Sequence, residues 1–376
     1  MSGENYVPSG DEWQGLSVAA AGFDPDRLQA AIAFSVANEC KWPRSMYLPD
    51  GQYIGTAHIG DKAEHAEVLG PVVPRGGPNG LVLRHGKLVA EWGDTRHADM
   101  TFSVTKSYIS MVAGLAVADG LIADLDAPVA KNVDTGWFDG PHNARITWRH
   151  LLQQTSEWQG TLWGKPDSAD HNRAVGGTAS GGAHKGAVRE LRTPGTHYEY
   201  NDVRVNLLAA CLTHRFRRSL PEVLKERVMD PIGASSDWQW HGYRNAYLEL
   251  DGKSVPCVSG GGHWGGGMVI SSRDHARMGL LVSRGGRWGE RQILAADWVR
   301  QMLTPSPALA QYGLLWWLNG AGGKRYPSAT ERSVFAQGAG ASIVWIEPDL
   351  DLVVVTRWIA GEAVDGFTAR VLEALR

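Results

Sequence analysis

Cysteine is scarce: the 376-residue chain holds three, Cys40, Cys211 and Cys257, far apart and in no CxxC pair. That excludes a disulfide framework and a clustered thiolate metal site, and leaves buried structural thiols as the expectation. Long apolar runs are missing too, none approaching the roughly 18 residues that a membrane-spanning helix needs. Positive charge is not in excess. A formal net charge of -3, from 37 Lys and Arg against 40 Asp and Glu, with the basic residues scattered, gives no field for nucleic acid or an anionic membrane. The HExxH helix, the Walker phosphate loop and the Gly-x-Ser-x-Gly nucleophile elbow are absent. The first two absences leave no fingerprint of a metal or nucleotide site, and the third disfavours the α/β-hydrolase scaffold. The opening residues, MSGENYVPSGDEWQGL, show no basic stretch followed by an apolar one, and a cytoplasmic location is expected. The partner is expected to be a small molecule, with no nucleic acid and no membrane, and the oligomeric state stays open.

Tryptophan and glycine, by contrast, are plentiful, at 16 and 46. Indole buries a large apolar area and needs one donor satisfied, so most tryptophans are expected in cores and pocket walls. GLVLRHGKLVAEWG, Gly80 to Gly93, reads as two strands around a turn at Arg84-His85-Gly86-Lys87. From Ser103 the apolar residues Val104, Tyr108, Met111, Val112, Leu115 and Ala116 recur at three- and four-residue spacing, and Gly120 is a stop. This predicts a buried helix with Ser103 in its first turn. The middle is helical and loop-rich, and the stretch from about Trp163 to Gly186 is expected to border a site. ASIVWIEP and LDLVVVTRW predict a second hairpin, and VDGFTARVLEAL an amphipathic closing helix. Strands at both ends with helices between predict an α+β fold: an antiparallel sheet flanked by helices and built from both termini, plus an inserted mainly helical domain. Residues 1–102 and 257–376 are assigned to the sheet domain and 103–256 to the helical one, with the active site in the cleft between them.

Ser103 and Lys106 stand three residues apart at the start of that helix, where i and i+3 share a face. A serine hydroxyl becomes a nucleophile when a base takes its proton, and burial together with the field of a helix start favours a neutral, basic lysine. Ser103-Val104-Thr105-Lys106 is the only Ser-x-x-Lys in the chain. A second constellation follows a Pro194-Gly195 turn: Tyr200 can share a proton with Lys106, and Asp202 can either hold the lysine or cap the helix beginning at Val203. A third is the small-residue loop Gly338-Ala339-Gly340 before an apolar strand, which exposes backbone N–H groups. With the Ser103 amide, that of Ala339 would make an oxyanion hole.

Together the three resemble the serine β-lactamase and penicillin-binding-protein superfamily, in its class C-like esterase and amidase branch. Ser103-x-x-Lys106 matches the first motif, and Tyr200-Asn201-Asp202 matches Tyr-x-Asn with aspartate in the last place. ITWRHLLQQTSEW, the stretch around GGGMVISSRDHARMG, and YGLLWW resemble further segments of the family in order. The third motif departs, with Ala336-Gln337-Gly338 where Lys-Thr-Gly is usual, and is expected to leave no fixed charge partner for a substrate carboxylate. The resemblance implies a β-lactamase/transpeptidase-like fold and an acyl-enzyme on Ser103, with Lys106 and Tyr200 moving protons and Asp202 supporting. An ester or small amide is the implied substrate, and the implied chemistry needs no metal or organic cofactor, so none is expected. An acyltransferase and a catalytically silent relative are the alternatives. Trp158, Trp163, His263 and Trp264 lie in segments that the family places near the cleft and are expected, with Gln337 and Gly338, to bind substrate.

Overall fold

The computed structural model describes residues 6–175, 183–261, 267–320 and 323–375. Its main sheet has six strands: Asn79–Arg84 (β1), Lys87–Trp92 (β2), Trp317–Leu318 (β3), Val334–Gly338 (β4), Ser342–Glu347 (β5) and Leu352–Arg357 (β6). They lie in the order β3-β4-β5-β6-β1-β2, antiparallel throughout. Both expected hairpins are present. His85 and Gly86 turn the first, with φ of 54° and 75°, the left-handed pair whose twist suits the flanking strands. The last strand, β6, lies beside the first, Asn79 opposite Arg357 and Arg84 opposite Leu352, so the sheet draws on both ends of the chain.

The longer helices are Pro25–Ala37 (α1), Thr105–Ala118 (α2), Asp202–Phe216 (α3), Ser272–Ser283 (α4) and Val364–Glu373 (α5). Strand alternation sends Val353 and Thr356 to opposite faces of the sheet. On one face lies α4: a Cβ at Gly279 would stand 2.7 Å from the Val353 side chain and 2.9 Å from that of Val344, so glycine is what lets the helix lie so close. On the other, α1 packs with α5, and Ser35 Oγ is 3.3 Å from Thr356 Oγ1. The helical lobe is organised around α2, buried on every side from Thr105 to Ala116 and packed against α3 and Leu220–Leu224. A helix with no polar face belongs inside. It stops as expected at Gly120, φ 71°, where Leu121 N–H donates to Ala116 O at 2.9 Å. The three cysteines are free and buried. Among the described residues no helix is long and apolar enough to cross a membrane.

A buried ion cluster ties the long loop of the helical lobe to α3. Glu157 accepts from Arg189 at 2.6 and 2.7 Å, from Arg204 at 3.1 Å and from the Arg192 amide at 2.8 Å. Arg189 also reaches Glu199 at 2.7 Å, and Arg204 reaches Asp167 at 3.0 Å. Burial raises the Glu157 pKa, but the arginines outweigh it and bring it to about 2 from an ordinary 4.5. A depressed carboxyl stabilises the fold above its unfolded pKa, and that contribution fades as pH falls through 4.5 toward about 2. Glu157→Gln leaves the arginines short of one negative charge and is expected to cost about 3–5 kcal/mol. Tm measured against pH should show the loss at neutrality and a shallower acid limb than in the wild type.

Candidate active site

Phe102–Val104 forms a 3-10 turn that runs directly into α2, so Ser103 stands one turn ahead of Lys106 on the same face. Phe102 has φ 50°, a left-handed backbone that a bulky side chain adopts only where packing imposes it. Its ring is buried edge-on against Trp42, with centroids 5.5 Å apart. The Ser103 Oγ that follows lies 2.9 Å from Lys106 Nζ.

Lys106 is buried, and its ammonium has three acceptors: Ser103 Oγ at 2.9 Å, Gly260 O at 3.1 Å and Asp202 Oδ1 at 2.6 Å. An ammonium has three N–H donors, one for each. Burial pulls its pKa down, but Asp202 and Tyr200 more than reverse this, and the net shift is upward from 10.5. The expectation of a neutral lysine is corrected here. Burial and a helix start act as reasoned, but the carboxylate brought in by α3 is stronger. Asn206 of α3 steadies the second of these acceptors, its Oδ1 taking the Gly260 amide at 2.8 Å.

Asp202 is the first residue of α3. The cap is Asn201, whose side chain accepts from Arg204 N–H at 3.2 Å, which corrects the capping alternative for Asp202. Asp202 Oδ2 instead accepts from Arg173 Nη1 at 2.7 Å, and its own amide donates to Asp170 Oδ2 at 2.9 Å. Lys185 reaches both Asp170, at 3.2 Å, and Asp61, and Lys165 lies 3.2 Å from Asp61. Charges thus alternate from Lys106 through Asp202, Arg173, Asp170, Lys185 and Asp61 to Lys165. Asp202→Asn would restore the commoner residue of the Tyr-x-Asn motif. With this network it is expected to strand two buried cations, to cost about 3 kcal/mol, and to move the Lys106 pKa downward. A lowered Tm and a new limb in the pH dependence of kcat/KM, absent from the wild type, check this.

Ser103, Tyr200, Trp317, Gln337, Gly338 and Ala339 line a cavity of about 250 Å³. Lys106 Nζ and Arg173 Cζ lie 4.8 and 5.0 Å from the centroid of the Tyr200 ring, which stacks on Trp317 at 6.1 Å and 16°. Two cations beside one phenol stabilise negative charge developing on its oxygen. His58 also lines the cavity, and burial, followed by Arg173, lowers its pKa and so favours the neutral imidazole. A second hollow of about 350 Å³, beyond Gly338 and Ala339, shares His58 and Gln337 with the first and is walled by Trp42.

The end of β4 rests on the serine's own turn. A Cβ at Gly338 would stand 2.1 Å from Thr101 O and 3.1 Å from Ser103 N, so only glycine permits the approach that sets Ala339 beside Ser103. Two adjacent backbone donors at a nucleophile are what an oxyanion hole requires. The Ala336-Gln337-Gly338 stretch also departs from expectation. Ala336 is buried in the core, whereas Gln337 Oε1 accepts from Arg325 Nε at 3.0 Å and Nη2 at 2.9 Å. The third motif therefore has a charge at hand after all, supplied by the loop that follows β3.

Of the expected substrate-binding tryptophans, Trp158 is 1% exposed, with its indole donating to Trp137 O at 2.7 Å, and it belongs to the core. Trp163 packs edge-on against Tyr243 at 6.3 Å and does not line the cavity either. The hydrophobic area of these rings is spent inside the helical lobe. His263 and Trp264 lie outside the described residues. The aromatic wall is made instead by Tyr200 and Trp317. Arg173, Ala174 and Val175 of the expected site-bordering loop do reach the cavity. Arg325, His58 and Trp317 were missed: Trp317 sits in YGLLWW, already matched to the family, while the other two stand in no spacing relation to any motif.

A family model described as Beta-lactamase matches residues 80–357. Solved structures share the fold. A penicillin-binding-protein homologue from Caulobacter crescentus is 16% identical, with TM-score 0.59, over 94% of this chain and 98% of that one. A beta-lactamase from Mycobacterium bovis is 19% identical, with TM-score 0.54, over 80% and 95%. EstA from Arthrobacter nitroguajacolicus Rue61a is 17% identical, with TM-score 0.55, over 79% and 91%. No curated protein matches the sequence significantly. With a family match running from the first strand of the sheet to the last, across both the Ser103–Lys106 turn and the Gly338 approach, the chain belongs to the beta-lactamase family.

Proposed function

We propose that the protein is a serine hydrolase that cleaves an ester or small amide through an acyl-enzyme on Ser103. The contact of Ser103 Oγ with Lys106 Nζ at 2.9 Å, opening on a cavity shared with Tyr200 and Ala339, carries this reading. Ser103 Oγ attacks the carbonyl carbon, and its proton passes to the Tyr200 oxygen as the phenol delivers its own proton to the leaving group. Lys106, an ammonium throughout, orients Oγ and stabilises the charge that develops along this path. The amides of Ser103 and Ala339 hold the carbonyl oxygen as it becomes an oxyanion. Water then adds to the acyl carbon, its proton passing to the Tyr200 oxygen as the phenol returns its own to Ser103 Oγ, and the acid leaves with the serine hydroxyl restored. Brief exposure to p-nitrophenyl acetate and p-nitrophenyl butyrate tests the reading. A burst of nitrophenolate is expected, with an acyl-sized mass gain mapping to the peptide that contains Ser103. No burst, no adduct and no labelling by a fluorophosphonate would overturn it.

A further inference from the structure

The two amides that face the carbonyl oxygen, those of Ser103 and Ala339, both sit next to left-handed backbone. Phe102, ahead of Ser103, has φ 50°, and beyond Ala339 come Gly340 at φ 70° and Ala341 at φ 50°. A residue with a side chain keeps that conformation only where its surroundings over-determine it. The residues that bound the two turns meet: Thr101 precedes Phe102, Ser342 follows Ala341, and their hydroxyls lie 3.0 Å apart. Thr101 Oγ1 is also 2.6 Å from Nε2 of His275 on α4, and the other ring nitrogen, Nδ1, is 3.1 Å from Tyr108 OH on α2. All four residues are at most 2% exposed. Burial, and after it Arg357, push the His275 pKa well below 6.5, which favours the neutral imidazole. Such a ring donates through one nitrogen and accepts through the other, so either tautomer runs the three bonds in one direction along the chain. Cutting a buried chain leaves its remaining members unpaired. Thr101 serves the site with its backbone as well: its carbonyl accepts from Val104 N–H at 3.3 Å, closing the turn that carries Ser103, and it is the atom that Gly338 approaches.

We propose that Thr101, Ser342 and His275 form a clamp that holds the Ser103 and Ala339 amides at the spacing an oxyanion needs. The three are positioning residues; His275 and Ser342 do not line the cavity, and they act through the two turns that Thr101 and Ser342 bound. This rests on the acyl-enzyme reading and deepens it, because donors stabilise a developing charge best when they are fixed before it forms. It also gives a task to a buried histidine that the proton path does not use.

A change of one atom in the substrate tests the clamp. p-Nitrophenyl butyrate is compared with its thionoester, in which sulfur replaces the carbonyl oxygen. Sulfur is larger and a weaker acceptor, so the ratio of the two kcat/KM values reports how well the amides are placed. Thr101→Val keeps the shape and removes the hydroxyl. It should lower kcat/KM for the oxygen ester by about tenfold or more and shrink the ratio by a similar factor, the scale of a misplaced oxyanion donor. Thr101→Ser, which keeps the hydroxyl, should recover most of both. His275→Leu should match Thr101→Val, and the double variant should be no worse than either, because the same chain is cut. Ser342→Ala removes only the end of the chain and should move the ratio in the same direction, which keeps the test open where a variant deeper in the core fails to fold. A general loosening of the fold would lower both esters together and leave the ratio in place. A ratio unmoved in Thr101→Val and in Ser342→Ala, with the wild type still forming its Ser103 adduct, overturns the clamp and leaves the hydrolase reading intact. A wild type labelled by neither the esters nor a fluorophosphonate overturns both.

Discussion

Ser103→Ala is expected to abolish both the nitrophenolate burst and the covalent adduct, and to lower turnover of p-nitrophenyl butyrate by about 10⁴-fold or more, because every later step needs the acyl-enzyme. Neighbouring hydroxyls cannot take over. Thr101 Oγ1 is buried between His275 Nε2 at 2.6 Å and Ser342 Oγ at 3.0 Å, and Ser107 Oγ donates to Leu315 O at 3.0 Å inside the core. The fold should tolerate the change. Lys106 loses one of three acceptors but keeps Gly260 O and Asp202 Oδ1, a cost of about 1 kcal/mol that thermal unfolding can verify. Wild-type turnover in a folded Ser103→Ala protein would mean that the chemistry is elsewhere.

Lys106→Met carries the second large effect, and a different signature. A thioether of similar length removes the donor that orients Oγ and the charge beside Tyr200 and Asp202, so kcat is expected to fall by about 10²-fold or more if that charge stabilises the transition state. Stability should fall as well. Asp202 is buried, and of the two cations it meets among the described residues it would keep Arg173, at 2.7 Å, a loss of about 3 kcal/mol for a broken buried pair. Lys106→Arg is not expected to restore activity, because a planar fork cannot serve acceptors at 2.9, 3.1 and 2.6 Å arranged around a single nitrogen. The pH dependence separates this role from that of a base. A neutral catalytic lysine would give kcat/KM a rising limb near its own pKa. An ammonium whose pKa lies above 10.5 gives none at neutral pH and leaves the profile to other groups. A lysine-dependent rising limb near neutrality in the wild type would overturn the assignment.

Several features were legible in the residues because they are local. Both hairpins follow from two-residue periodicity and turn chemistry, and His85-Gly86 adopts the turn that its sequence favours. The buried helix, its stop at Gly120 and the meeting of Ser103 with Lys106 follow from the 3.6-residue period, although Ser103 stands in a 3-10 turn just ahead of the helix rather than in its first turn. The order of the remaining segments was enough to identify the family. Within a few residues, spacing determines geometry.

What only the tertiary structure decided involves sums over distant segments. The charge of Lys106 depends on burial, which opposes the ammonium, and on Asp202 and Tyr200, which favour it; their balance appears only once α3 is packed against α2. Nothing in the sequence tells Trp158 from Trp317, yet one is spent in the core and the other lines the cavity at Ser103, because which indole reaches the cavity depends on how distant segments pack. Arg325 meets Gln337 from a loop twelve residues upstream, with no periodicity to announce it. By itself the sequence determined the fold family and the meeting of Ser103 with Lys106, since these are written in short-range spacing. Packing alone decided the charged partners of Lys106 and set a guanidinium beside Gln337, since electrostatics and cavity shape depend on whichever groups converge there.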